Sequence, residues 1–279
     1  MEQCLHPYFI VNEELKSTCD FIPEKYTVQG FVYEVLRVID GKIIFLDDHL
    51  ERFYETFRIK NTVFSLSKKQ VLEALKILIE SNKVDIGNIK ILGSSRHNGA
   101  AFWFAAWFIP HAYPTRQMYQ DGVDLHVFDY VRENPNAKIT RTSYKSEVAR
   151  LIEKYEVYEL LLASEGKVTE GSRSNIFFIK EETIYTASGE SVLMGITRKK
   201  IIELCKDLGL KLIENDIFIE NLLDFEAAFI TGTSPKVLPV RQIQKVASYK
   251  TNQTILNLIS RSYDEAIEKY LESFKWNQI

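Results

Sequence analysis

The sequence predicts a two-domain α+β protein: a small N-terminal α/β domain over residues 1–109, a linker over 110–122 and a larger C-terminal β-rich domain with helices over 123–279. Three observations predict it. The chain has 279 residues, close to twice the ~150 that serves as a prior for one domain. Runs of β-branched and aromatic residues alternate with stretches of helical period in both halves. Between the halves, Pro110-His-Ala-Tyr-Pro-Thr-Arg-Gln-Met-Tyr-Gln-Asp-Gly122 breaks the pattern with two prolines, polar residues and a closing glycine, the composition of a linker. Apolar residues are 46% and charged residues 26% of the chain, enough for a sizeable core without disulfides or metals.

In the first half, Phe31–Ile39 reads as a strand, Asp40-Gly41 as a tight turn and Lys42–Leu46 as the answering strand of a hairpin. Asp47 or Asp48 then caps a helix from about His49 to Arg58, with Leu50, Phe53 and Phe57 at helical spacing. Ser67 caps a second helix, whose buried stripe is Val71, Leu72, Leu75, Leu78 and Ile79. Ile89–Gly93 and Ala101–Ile109 are apolar strands around the polar tip Ser94–Gly99. In the second half, strand Val123–Tyr130 leads through the turn Glu133–Asn136 into a helix from about Ser143 to Tyr155. Strands Tyr158–Ala163 and Ile176–Ile179 follow, with a turn at Glu165-Gly166, and then the short strand Thr183–Thr186. Helix Thr197–Leu208 stops at Gly209, a favourable left-handed terminus. Strands Lys211–Glu214 and Ala227–Thr231 and a C-terminal helix over about Gln253–Phe274 complete the reading.

Several function classes drop out. Lys and Arg number 35 against 38 Asp and Glu, a net charge of −3, which gives no electrostatic footprint for nucleic acid or an anionic membrane. No apolar run approaches the ~20 residues of a spanning helix. Met1–Glu14 has no basic region followed by an apolar one, so a cytoplasmic protein is expected. Cys4, Cys19 and Cys205 are odd in number and far apart, unlike a disulfide framework or a zinc knuckle. The glycines never form Gly-x-Gly, and Gly-Lys-Ser/Thr, His-Glu-x-x-His and Gly-x-Ser-x-Gly are absent. The histidines show no ligand spacing, so no metal is expected. Difficult chemistry would therefore need a borrowed cofactor, or a lysine or carboxylate pair.

Three polar segments stand at strand ends, where function tends to sit: Thr169–Asn175, Leu193–Arg198 and Thr231–Pro235. The second and third supply backbone N–H groups and hydroxyls, one set at a helix N-terminus, which suits an anion such as phosphate. Singly, each has a plain structural reading: Thr197 caps its helix, Thr233 and Ser234 form a turn, and Glu170 is solvated. Their joint order carries more. In Glu170-Gly-Ser-Arg-Ser-Asn175-Ile-Phe177, Ile184-Tyr-Thr186 and Leu193-Met-Gly195-Ile-Thr-Arg198 the sequence resembles the fold-type IV (class IV) pyridoxal-phosphate aminotransferases, which include branched-chain and D-amino-acid aminotransferases and aminodeoxychorismate lyase. The likeness runs from Tyr33-Glu34 through His49-Leu-Glu-Arg52 to Thr231-Gly-Thr-Ser234 and Pro239-Val-Arg241.

The resemblance implies a two-domain fold-type IV enzyme and pyridoxal 5′-phosphate as cofactor. It implies an amino acid and a 2-keto acid as substrates, and a homodimer. Glu170 takes the position of the carboxylate that keeps the cofactor's ring nitrogen protonated, with Ser174 and Asn175 beside it. Arg52 takes that of the phosphate arginine, joined by Gly195, Ile196, Thr197, Gly232 and Thr233, while Leu193 packs on the ring face. The lysine that carries the cofactor falls 32 residues before the glutamate, at Lys138, with Lys145 in the next helix as the alternative. Lys138-Ile-Thr-Arg-Thr-Ser-Tyr144 departs from the usual sequence after that lysine and offers Tyr144 as a partner for the ring hydroxyl. On the substrate side the resemblance points to Tyr33, Arg96 and Ser234; Arg96 lies one residue beyond the arginine position of the D-amino-acid enzymes and reads equally as loop-tip solvation. Transamination is the expected activity, and elimination of pyruvate from aminodeoxychorismate the alternative. A non-catalytic binding relative is the third reading.

Overall fold

The computed structural model describes residues 2–95 and 103–276. By its internal contacts the chain forms two compact units, Met1–Ala112 with Ala137–Thr142 and Ile267–Ile279, and Tyr113–Asn136 with Ser143–Ala266. In the first unit, β1 (Tyr8–Val11), β2 (Glu14–Ser17), the single-turn α1 (Pro23–Tyr26), β3 (Val32–Ile39), β4 (Lys42–Ile43), α2 (Leu46–Ile59), α3 (Lys68–Asn82), β5 (Gly87–Gly93) and β6 (Phe104–Ile109) follow in order. The sheet is antiparallel, in the order β2-β1-β6-β5-β3-β4. Leu36, Val38, Ile89 and Ile91 face Phe53 and Phe57 of α2 and Leu75 of α3 in one core. The alternate residues, Leu92 and Trp107, pack with Phe9 and Tyr26 on the other face, with Tyr33 at its margin.

Turn chemistry sets these boundaries. Asp40 and Gly41 both have positive φ, 51° and 68°, the backbone of a two-residue type I′ hairpin. The expected strand Lys42–Leu46 ends early, because Phe45 takes the left-handed conformation and α2 begins at Leu46, ahead of Asp47 and Asp48. No side chain caps that start; the Leu46 N–H donates to Tyr270 Oη at 2.9 Å instead. Ser67 and Gln70 form the reciprocal capping box of α3.

The second unit begins with α4 (Arg116–Asp121), inside the stretch read as a linker, where the Thr115 hydroxyl accepts from Met118 N–H. It continues with β7 (Val123–Asp129), α5 (Thr142–Tyr155), β8 (Glu159–Ser164), β9 (Lys167–Gly171), β10 (Asn175–Lys180), β11 (Thr183–Thr186), α6 (Ile196–Asp207), β12 (Lys211–Glu214), β13 (Ile217–Phe218), β14 (Ala227–Gly232), β15 (Lys236–Ile243), β16 (Ala247–Ser248) and α7 (Thr254–Ser273), whose residues from Ile267 onward fall in the first unit. The mixed sheet runs β12-β11-β10-β14-β15-β7-β8-β9-β13, with β16 on β15. Phe177 and Phe229 stack across β10 and β14 with ring centroids 5.0 Å apart. Strand β15 escaped the sequence reading because Pro239 argues against a ladder position; in the fold it stands opposite Phe229. Strand β9 escaped it because a short polar run ending in glycine reads as a loop. Helix α6 ends as expected: Gly209 (φ 68°) donates to Lys206 O and Leu210 to Cys205 O, the paired bonds of a Schellman terminus.

Candidate active site

In the first unit the candidate residues gather around β3. Successive residues of a strand point to opposite faces, so Tyr33 and Glu34 diverge. Glu34 is wholly buried. It accepts from Arg52 Nε at 2.7 Å and Nη2 at 2.8 Å, a bidentate pair, and from His49 Nδ1 at 2.9 Å. His49 and Arg52 meet it together because residues three apart share one face of α2. Burial pushes the Glu34 carboxyl up. The Arg52 charge, the hydrogen bonds from His49 and Arg52, and the Lys138 charge outweigh it and hold the group well below the usual carboxylate range. Burial pushes His49 down despite its bond to Glu34, so the ring is neutral and Nδ1 bears the proton that Glu34 accepts.

Lys138 is pinned to β3 by its backbone. Its carbonyl accepts from Tyr33 N–H at 3.0 Å, Thr140 N–H donates to Phe31 O at 2.8 Å, and Ile139 bridges Val32. Lys138 Nζ lies 4.9 Å from the centre of the Tyr33 ring. Tyr33, Arg52 and Lys138, far apart in sequence, are thus brought into one cluster, whereas Lys145 is exposed on α5. A second lysine joins them that sequence reasoning missed. Lys90, buried in β5, has its Nζ 5.7 Å from the Tyr33 ring centre and 5.3 Å from that of Trp107, and it is ion-paired with Glu2. Its signal was a lysine inside the apolar run Ile89–Gly93. Arg96 lies outside the described residues.

In the second unit, Glu170 is the penultimate residue of β9 and is 3% exposed. Its Oε2 accepts from Leu193 N–H at 3.1 Å and Asn175 Nδ2 at 3.4 Å, and its Oε1 lies 3.0 Å from Arg132 Nη1. Asn175 also donates to Leu193 O at 2.9 Å, so one amide ties the first two polar segments together. Glu170 is therefore not the solvated residue of the plain reading. Arg132 was missed, since an isolated arginine before a turn carries no signal. Its guanidinium carbon lies 5.9 Å from the Tyr144 ring centre. The Tyr144 hydroxyl donates to Ser172 O at 3.1 Å, and burial pushes its pKa up. Ser174 is buried beside Gly171, where a Cβ would overlap its hydroxyl and meet Glu159.

Gly195 begins α6 with no side chain capping the first turn, and a Cβ there would overlap Asn175 Oδ1. The amides of Ile196 and Thr197 thus open the helix with the partial positive charge of its N-terminus. Thr197 Oγ1 lies 3.3 Å from Tyr263 Oη of α7. Arg198, inside the recognised motif, is 1% exposed; it pairs with Glu214 and donates to Ala187 O at 2.9 Å. It therefore anchors the 187–194 loop from behind. Gly232 closes β14, and Thr233 and Ser234 follow half-buried in the turn to β15. Among the described residues no cluster of His, Cys, Asp or Glu could hold a metal ion, and no helix is long and apolar enough to cross a membrane.

The family model of amino-transferase class IV matches residues 31–243, and the chain belongs to the class IV aminotransferases, a family of enzymes that use pyridoxal phosphate. It is 27% identical to the D-alanine aminotransferase of Bacillus licheniformis over 83% of this chain and 85% of that one. It is 30% identical to the branched-chain-amino-acid aminotransferase of Pseudomonas aeruginosa (76% and 75% covered) and 28% identical to the aminodeoxychorismate lyase of Bacillus subtilis (77% and 78%). The solved structure of the branched-chain amino acid aminotransferase of Escherichia coli shares the fold, with a TM-score of 0.82 at 22% identity over 94% of this chain and 95% of that one.

Proposed function

We propose that this chain transfers the amino group of an amino acid to a 2-keto acid with pyridoxal 5′-phosphate as cofactor. The donor set fits that group: a buried carboxylate for a ring nitrogen, a helix start without a side-chain cap for a phosphate, and a lysine beside an aromatic ring. The observation that carries the reading is Glu170, buried yet held by Leu193, Asn175 and Arg132. Three donors fixed by the fold keep a carboxylate in a place that costs stability to occupy.

The cofactor, when bound, withdraws electrons from the substrate Cα. Glu170 would pair with its ring nitrogen, Ser174 and Asn175 would stand near that end of the cofactor, and Leu193 would cover the ring. Gly195 would let the chain approach; the Ile196 and Thr197 amides, the Thr197 hydroxyl, Gly232 and Thr233 would bind the phosphate, and the family resemblance assigns Arg52 to the same role. Lys138 Nζ would hold the cofactor and would move the proton at the substrate Cα. Tyr33 and Ser234 would take the substrate, and the family resemblance assigns Arg96 to its carboxylate. The first keto acid leaves before the second enters, a ping-pong order. We place the enzyme in the cytoplasm as a homodimer, after the family.

Replacing Lys138 with Ala should abolish the visible absorbance of the cofactor-loaded protein, and Lys145→Ala should leave it intact; the reverse pattern would overturn the assignment. An amino-donor screen over L- and D-amino acids then identifies the substrate. The likeness to an aminodeoxychorismate lyase supports a second reading, elimination of pyruvate. Turnover that needs no added keto acid would establish it.

A further inference from the structure

Thr231 carries a hydroxyl that no described residue uses. The residue sits in β14, 1% exposed, and its Oγ1 has no hydrogen-bond partner among the described residues. A buried hydroxyl left unpaired is destabilising, and folded proteins keep few of them. Its direction follows from the register. Thr231 stands directly opposite Asn175 across the antiparallel β10–β14 pair, and residues so paired project from the same face, with Cβ atoms about 4.5–5.5 Å apart. The Asn175 side chain reaches Leu193 O at 2.9 Å and abuts Gly195, the first residue of the α6 turn. The Thr231 side chain therefore shares the face on which α6 starts. Thr197, on that start, already has its hydroxyl 3.3 Å from Tyr263 Oη. Thr231 has no such neighbour among the described residues.

We infer that Thr231 Oγ1 donates a hydrogen bond to the phosphate of the bound cofactor, as a positioning residue beside the α6 amides. This rests on the reading above that the α6 start holds that phosphate. The Thr231 hydroxyl would thereby help hold the phosphate beside the α6 amides.

The test uses the full chain, freed of cofactor and titrated separately with pyridoxal 5′-phosphate and with pyridoxal, which lacks the phosphate. Thr231→Val keeps the shape and removes the hydroxyl; Thr231→Ser keeps the hydroxyl. The valine variant should bind pyridoxal 5′-phosphate at least tenfold more weakly, bind pyridoxal as the wild type does, and melt no lower than the wild type without cofactor. The serine variant should bind pyridoxal 5′-phosphate within threefold of the wild type. Should the valine variant not fold, Thr231→Ala against Thr231→Ser isolates the same hydroxyl. Unchanged affinity in the valine variant would overturn the inference, and so would equal weakening for both ligands, which would move the contact to the ring. A wild-type protein that binds neither ligand would instead overturn the cofactor reading itself.

Discussion

Glu34→Gln tests the electrostatic centre of the first unit. The substitution keeps size and shape but removes a charge that two buried partners face, the Arg52 guanidinium (side chain 11% exposed) and the neutral His49 ring. Breaking a buried pair by removing one partner costs about 3–5 kcal/mol, because the remaining charge stays desolvated without compensation. A neutral amide has one acceptor oxygen where the carboxylate offered two, so either the guanidinium or the imidazole N–H must also face an NH2 group. The assay is built into the chain: Trp103, Trp107 and Trp276 all belong to the first unit, so tryptophan fluorescence in urea follows that unit alone. The variant should lose about 3–5 kcal/mol there, and Glu34→Leu combined with Arg52→Met should regain most of it, since apolar replacement of a whole buried pair is often neutral. The sign with pH is fixed as well. The Glu34 pKa is lowered on folding, so its contribution is complete above the ordinary value of 4.5 and disappears as pH falls toward the much lower folded value. A loss below about 1 kcal/mol, or a double variant as weak as the single one, would refute the reasoning.

Glu159 titrates in the opposite sense. Burial raises its pKa above 4.5 against the pull of Arg173 and the nearby serines, so its cost to stability grows as pH rises from the ordinary value through the raised one. Glu159→Gln still accepts from the Arg173 amide, so at neutral pH it should equal or exceed the wild type in stability and show a flatter pH profile; a loss above about 1 kcal/mol there would count against this account. Arg132→Met removes a charged donor from Glu170 and should destabilise the second unit by about 1.5–3 kcal/mol in denaturation followed by circular dichroism. Arg132→Lys should recover part of that loss as a point charge without the planar fork.

Much of the fold was legible because its signals are local. The Ser67 cap, the Asp40-Gly41 turn and the Gly209 terminus each specify a backbone conformation within four residues, and all three formed. The errors are those of reach. Phe45 and Leu46 read as strand by propensity, yet they are buried where α2 starts, with Tyr270 supplying the partner for the Leu46 amide from a helix more than 200 residues away. The same limit applies to Glu34 with Arg52, Arg132 with Glu170, and Lys90 with Glu2. Each pair is made by the tertiary fold between residues whose spacing follows no helical or strand period, so a single sequence holds no trace of it.

The ordered motif of the second unit was legible for a different reason, and its physics separates its members. Glu170, Asn175, Leu193 and Gly195 appear together because each constrains the next. Asn175 spans from the Glu170 carboxylate to the Leu193 carbonyl, and only a glycine at 195 leaves room for its oxygen. Thr186 and Arg198 belong to the same motif but work elsewhere: the Thr186 hydroxyl donates to Ile176 O at 2.7 Å, and Arg198 holds Ala187 O and Glu214. A motif read from sequence therefore mixes residues that would face a ligand with residues that tension the loops bearing them. Burial alone does not sort the two, since Glu170 and Arg198 are both almost fully enclosed. What sorts them is the partner: Arg198 is neutralised by a residue of β12, behind the loop, whereas Glu170 is gripped by donors at the very ends of the segments that open onto the α6 start.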